Sequence, residues 1–182
     1  YQGLDRQNPS LKLAKPELQD EGMTAVFPYL EGKTRAELLG EILTAQGADA
    51  EVSAIRAAMD EIYNIRPEER KPFAVTPEFI KVFNALGELD SYRDKETENG
   101  GGWASLGAVL ADESYSASNI DALFENMLVT ADGTYAIDYE WVFLFPVPAG
   151  FVKYRTLVYF YRRYKSLLGG QAEREFIGQF PE

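Results

Sequence analysis

Three oxygen-bearing side chains stand at a spacing that could do chemistry: Asp121, Asn126 five residues on, and Asp138 twelve residues beyond that. Met127-Leu128-Val129 and Tyr135-Ala136-Ile137 between the last two are short β-prone runs, and Asp132-Gly133 is a hairpin turn signal because glycine accepts positive φ. Pairing the runs predicts a hairpin over 127–138 that returns Asp138 to the end where Asn126 starts, with Asp121 on the loop leading in. Two carboxylates and an amide converging there would suit a hard cation such as Mg²⁺, which prefers oxygen. Taken singly, each residue also has a plainer reading. Asp121 could cap a helix or turn, Asn126 could bond its own backbone, and Asp138 could be held by backbone N–H groups at a strand end.

The elements that must position this segment follow from patterning. Leu11–Ala14 and Met23–Phe27 are predicted to pair as a hairpin over 11–27 that runs into Phe27-Pro28-Tyr29-Leu30-Glu31-Gly32-Lys33-Thr34. Thr34 and Glu37 form a capping box ahead of a helix with Leu38, Leu39, Ile42 and Leu43 on one stripe, ended by Gln46-Gly47. Asp49 is expected to cap a second helix with Val52, Ile55, Met59, Ile62 and Tyr63 inward; Thr76-Pro77 opens a third carrying Phe79, Ile80, Phe83 and Leu86. Ile65–Lys71 and Asp90–Gly102 read as linkers, the second mobile because alternating charge runs into Asn99-Gly100-Gly101-Gly102. That glycine run lacks P-loop spacing and a following lysine, so a phosphate role is not assigned to it. A long helix from about Gly150 to Leu168 is stopped by Gly169-Gly170. Its apolar residues wrap most of the way round, as for burial between this lobe and another surface. Its Arg155, Arg162, Arg163 and Lys165 read either as salt-bridging groups or as facing an anionic partner.

Composition narrows the chemistry. The chain has 182 residues with 46% hydrophobic content, enough for one core, and 29 acidic against 18 basic residues give a net charge of −11, which argues against nucleic acid as a partner. It has no cysteine and no histidine, so acid–base work would fall to carboxylates, lysine or tyrosine. The longest apolar run, Trp141–Val152, is broken by Pro146 and Pro148 and is too short for a membrane span. With no export signal either, a cytoplasmic setting is expected. The first residue is Tyr1, from which a piece of a longer protein is expected.

Asp121-x₄-Asn126 followed by Ile137-Asp138-Tyr139-Glu140 resembles the catalytic loop and metal-binding strand end of the protein-kinase-like superfamily, closest to its small-molecule branch of aminoglycoside and choline kinase-like phosphotransferases. The run Asp138–Trp141 through Phe145-Pro146-Val147-Pro148 also resembles kinase-like modules attached to bacterial glycosyltransferases and methyltransferases of surface-polysaccharide assembly. Phe27, Pro28, Tyr29 and Leu30 resemble the hinge whose main chain bonds adenine. The ninety residues from Glu31 to Asp121 fit the helical insertions of the small-molecule branch.

The resemblance implies an α+β, mostly α fold. Residues 1–33 would be a remnant of the small lobe and hinge, and 34–182 a helical large lobe with the catalytic-loop hairpin at 118–141. It implies Mg²⁺ and ATP as cofactors, Asp121 as the group that accepts or orients the substrate hydroxyl proton, and Asn126 and Asp138 as metal ligands. Glu140 is a candidate assisting carboxylate. The substrate would be a small-molecule or glycan hydroxyl. Asn119 and Ile120 stand where the family commonly has histidine and arginine, so the shell around Asp121 departs from the pattern. About twenty-five residues precede the hinge, too few for the glycine-rich turn and lysine that clamp phosphates. The implied partner is therefore a missing upstream lobe or a fused catalytic domain, and the isolated chain is expected to be inactive. Two alternatives stand beside this reading: a non-catalytic docking or scaffold module of a glycan-assembling glycosyltransferase or methyltransferase, and a glycosidase using Asp121, Asp138 and Glu140.

Overall fold

The computed structural model describes residues 2–46, 48–87 and 113–180. The expected linker over Asp90–Gly102 lies outside these. The described residues form a mixed α and β structure with six α-helices and several small sheets.

The organising sheet has four strands in the order β1-β9-β8-β4. The hairpin of β8 (Met127–Thr130) and β9 (Gly133–Ala136) is its centre, in the register Met127↔Ala136 to Thr130↔Gly133. Ala131 and Asp132 make the two-residue turn, and Gly133 takes φ 136°, which few side chains would tolerate. Asp132 staples this turn: its carboxylate accepts from the Thr130 hydroxyl (2.6 Å), Tyr135 Oη (3.0 Å) and Lys12 Nζ (2.9 Å). The Thr130 contact, then those of Lys12 and Tyr135, hold its carboxyl well below the usual carboxylate range. The aspartate of the turn signal is thus committed to structure.

The N-terminal expectation is corrected here. β1 (Leu11–Leu13) pairs parallel with β9, Leu11 opposite Thr134, and does not enter a hairpin with Met23–Phe27. Leu11 and Leu13 pack on the main core, where they leave water, and that gain outweighs the short loop of a local hairpin. The hairpin that does form joins β2 (Glu17–Gln19) to β3 (Thr24–Val26), with every residue of both strands exposed. On the far edge, β4 (Lys33–Thr34) pairs antiparallel with β8.

Beyond the short α1 (Gln2–Gln7), helices cover the sheet. α2 (Arg35–Gln46) opens on the expected reciprocal box: Thr34 N donates to Glu37 Oε2 (2.8 Å) and Glu37 N to Thr34 Oγ1 (3.2 Å). Its Leu39 and Leu43 are buried beside Ile55, Ala58 and Ile62 of α3 (Ala48–Ile62). α3 also turns one carboxylate inward: Glu51 is 1% exposed, its Oε1 has no hydrogen-bond partner, and burial pushes its carboxyl up to about 7. Most of the expected linker 65–71 has order, since Pro67–Glu69 form a 3₁₀ turn and β5 (Arg70–Pro72) pairs antiparallel with β6 (Glu113–Tyr115). α4 (Pro77–Phe83) has Thr76 as its cap, accepting from Phe79 N at 3.2 Å, and stops before Leu86, which is 88% exposed.

α5 (Ala149–Tyr164) is the central pillar. It buries Val152, Thr156, Leu157, Phe160 and Tyr161 on one face and leaves Phe151, Tyr154 and Tyr159 partly open on the others. Phe160 meets Phe124 edge to face at 5.6 Å and Phe176 of α6 (Glu173–Ile177) at 6.3 Å, so three buried rings lock the pillar to the loop before β8 and to the C-terminal helix. The chain leaves α5 through Gly169 and Gly170, both at positive φ. The three arginines of this helix are salt-bridged, Arg155 with Asp121, Arg162 with Glu173 and Arg163 with Glu125, whereas among the described residues no ion pair is seen for Lys153 or for Lys165 just beyond it.

Candidate functional site

The loop carrying Asp121 is clamped from both sides. Upstream, β7 (Ser118–Asn119) pairs antiparallel with β10 (Val142–Phe143), so the chain before Asp121 and the chain after Asp138 run side by side. Downstream, Phe124 drops fully buried into the core and the 3₁₀ turn Phe124–Asn126 delivers the chain into β8. Between these anchors the backbone crosses once more: Ile120 N donates to Trp141 O (3.1 Å), and Trp141 N donates to Asp121 Oδ2 (3.2 Å).

Asn119 does the local shaping. Its Oδ1 accepts from Asp121 N at 3.0 Å, an Asx turn that fixes the direction in which Asp121 leaves the strand. Asn126 then ties the loop to itself, its Nδ2 donating to Asp121 O at 3.0 Å while its own carbonyl accepts from Ile137 N at 3.0 Å. The last bond carries the β8–β9 ladder one step further and brings the segment holding Asp138 beside Asn126.

The three residues therefore share one end of the hairpin, and Asp138 is near enough for its charge to act on Asp121. Burial pushes the Asp121 carboxyl above its ordinary value; the Trp141 amide and the Arg155 guanidinium pull it back, and the Asp138 charge adds to the rise. Asp138 and Glu140 are exposed, whereas Tyr139 between them turns inward and donates from Oη to Ala14 O at 2.9 Å. This alternation sets 138 and 140 on one outward face.

Sequence reasoning missed one member of the site. Arg155 of α5 donates from Nε to Ile120 O (3.0 Å), reaches Asp121 Oδ1 with Nη2 (3.5 Å), and lies 5.0 Å over the Tyr159 ring. Both Asp121 oxygens are thus engaged, one by a backbone amide and one by a cation. No motif links positions 34 apart on a loop and a helix, so only the folded chain reveals the contact.

The donor set bears on an ion. Asp138 presents a carboxylate to solvent, and Asn126 uses its NH₂ within the loop, which leaves its Oδ1 for a cation. Among the described residues no three carboxylates gather as an ion cage would. With both Asp121 oxygens engaged, Asp138 and the Asn126 amide oxygen are the donors left open, and a cation held by these two oxygens would keep most of its water.

The hinge-like segment leaves β3 as irregular chain and contains no helix. Tyr29 is 93% exposed and Phe27 about half, and among the described residues no backbone hydrogen bond ties Phe27, Pro28, Tyr29 or Leu30. Gly32 then presses on the hairpin: a Cβ there would lie 2.3 Å from Val129 O. Only glycine lets the segment join β8 at this distance.

Compared with protein-family models, with curated proteins and with solved structures, the chain matches none. No described helix is long and apolar enough to cross a membrane.

Proposed function

We propose that this chain is the large-lobe part of a kinase-like phosphotransferase acting on a small-molecule or glycan hydroxyl. The observation that carries the reading is the return of Asp138 beside Asn126 and Asp121 at one end of the hairpin, with an irregular segment of unpaired backbone, residues 27–30, tied through Gly32 to the same hairpin. In this reading Asp138 and Asn126 Oδ1 hold Mg²⁺, which offsets phosphate charge during transfer. Asp121 orients the substrate hydroxyl and takes its proton, a task that its raised pKa suits. Unpaired amides and carbonyls of 27–30 receive the adenine edge. Arg155 and Trp141 fix the aspartate, and Glu140, on the same outward face as Asp138, faces the incoming groups.

Phosphoryl transfer depends on positioning and charge stabilisation from more than one side. The residues named here supply one side, and a further lobe or fused catalytic domain would supply the clamp over the phosphates. The 182-residue chain alone should bind Mg-ATP no tighter than about 1 mM, roughly −4 kcal/mol, without turnover. Calorimetry and amide-shift mapping with Mg-ATP, with Asp138→Ala as control, test this. Amide shifts at residues 27, 29, 30, 121, 126 and 138 that vanish in the variant are expected. Mg-ATP that moves none of these amides would sink the phosphotransferase reading; micromolar binding or hydrolysis lost in the variant would show that the site is complete as it stands.

The engagement of both Asp121 oxygens favours a second reading, a kinase-derived docking module of a glycan-assembling enzyme in which the aspartate has become structural. An active, full-length parent whose activity survives Asp121→Asn would select it.

A further inference from the structure

A groove of about 880 Å³ lies away from the hairpin, between α3, α5 and the turn after α6. Gly150, Lys153, Tyr154 and Leu157 line it, and on a helix these positions face almost opposite to Arg155 and Tyr159, which serve the Asp121 loop. It is therefore a separate place, of the size that small-molecule sites have.

Its floor is apolar. Tyr63 and Tyr115 stack there at 6.5 Å beside buried Leu157, and Tyr63 turns its hydroxyl away to Thr156 Oγ1 (2.7 Å), so that it gives the groove a ring face. The rim is charged and unevenly neutralised. Arg70 is satisfied by Glu113 (3.3 Å) and by Ile65 O (3.0 Å). Arg56 donates to the carbonyl of Gln179 and lies 5.7 Å over the Phe180 ring, and among the described residues it forms no ion pair. Lys153 makes no hydrogen bond or ion pair among the described residues. Against these two cations the rim holds one further carboxylate, Asp60. In a chain of net charge −11 the groove lining, three cations against two carboxylates, thus carries a net positive charge around an aromatic floor.

We propose that this groove binds a phosphate monoester carried on a ring. Such a group is an anion at neutral pH, which Arg56 and Lys153 can meet with charged hydrogen bonds, and its ring covers the Tyr63–Leu157 floor. The proposal stands independently of the phosphotransferase reading, because it uses none of Asp121, Asn126 or Asp138.

The test is an amide-shift titration of the 182-residue chain with phenyl phosphate, and in parallel with inorganic phosphate and benzyl alcohol. Saturable shifts are expected at Arg56, Asp60, Tyr63, Lys153 and Tyr154. Lys153→Gln and Arg56→Gln should each weaken binding about tenfold, the loss of one charged hydrogen bond, with the rest of the spectrum and the far-ultraviolet circular dichroism unchanged. Asp138→Ala should leave it untouched. Shifts clustered at residues 121–138, or binding indifferent to both substitutions, would overturn the proposal. So would equal affinity for inorganic phosphate, which would remove the ring from the argument, or for benzyl alcohol, which would remove the charge.

Discussion

Replacing Glu51 with glutamine should alter how stability depends on pH more than it alters the fold. An ordinary glutamate carboxyl titrates near 4.5, and burial pushes that of Glu51 up to about 7. Between those values the folded chain keeps a proton that the unfolded chain has released. Stability is therefore greatest below the lower value and falls as pH rises through the upper one, above which the charged carboxylate sits buried with Oε1 unpartnered. At about 1.4 kcal/mol per pH unit the difference comes to about 3 kcal/mol, a large share of the 5–15 kcal/mol by which domains are stable. In melting temperature this is roughly 6–12 °C for a chain of this size. Glutamine keeps the shape and removes the titration, so urea unfolding at pH 5 and pH 8 should give a wild-type chain that loses about 3 kcal/mol and a variant that loses correspondingly less. The comparison between pH values cancels whatever the buried amide itself costs. Equal losses in the two proteins would refute the reasoning, as would a carboxyl resonance of Glu51 that titrates near the ordinary value.

Gly32→Ala should cost about 2 kcal/mol or more, because its Cβ would meet the Val129 carbonyl oxygen at 2.3 Å and neither backbone can step aside without breaking the β4–β8 pairing; a melting temperature within a degree of wild type would contradict it. Thr34→Ala should cost about 1 kcal/mol by removing the hydroxyl that accepts from Glu37 N, and Glu37→Ala added to it should cost less than its separate effect, since the two serve one cap; a double-mutant cycle in urea measures both.

What could be read from the sequence was mostly what local chemistry dictates. Asp132-Gly133 marked its hairpin because the chain leaves the Ala131-Asp132 turn through a residue at positive φ, which Gly133 accepts, and Thr34 with Glu37, like Thr76 with Pro77, marked helix starts because the first turn must satisfy its own N–H groups. The placing of Asp121, Asn126 and Asp138 at one end of that hairpin followed from the same local rule. Pairing between distant segments was not readable. Leu11-Lys12-Leu13 alternates as a strand does, but three residues cannot show whether their partner lies ten positions on or beside Thr134. Leu86 fitted a helical stripe because periodicity carries no stop signal at Asn84, where α4 has already ended. Nor was the closeness of Gly32 to Val129 readable, because it depends on where β8 lies.

The parallel pairing of β1 with β9 also sets a schedule. Lys12 and Asp132, bonded across that contact, are 120 positions apart, so on a ribosome adding about 5–20 residues per second the first strand waits roughly 6–24 s for its partner. During that time Leu11 and Leu13 have no groove to enter, and the sheet that aligns Asp121 with Asp138 is missing its outer strand. Assembly of this end of the molecule can finish only once the chain has been made through Ala136.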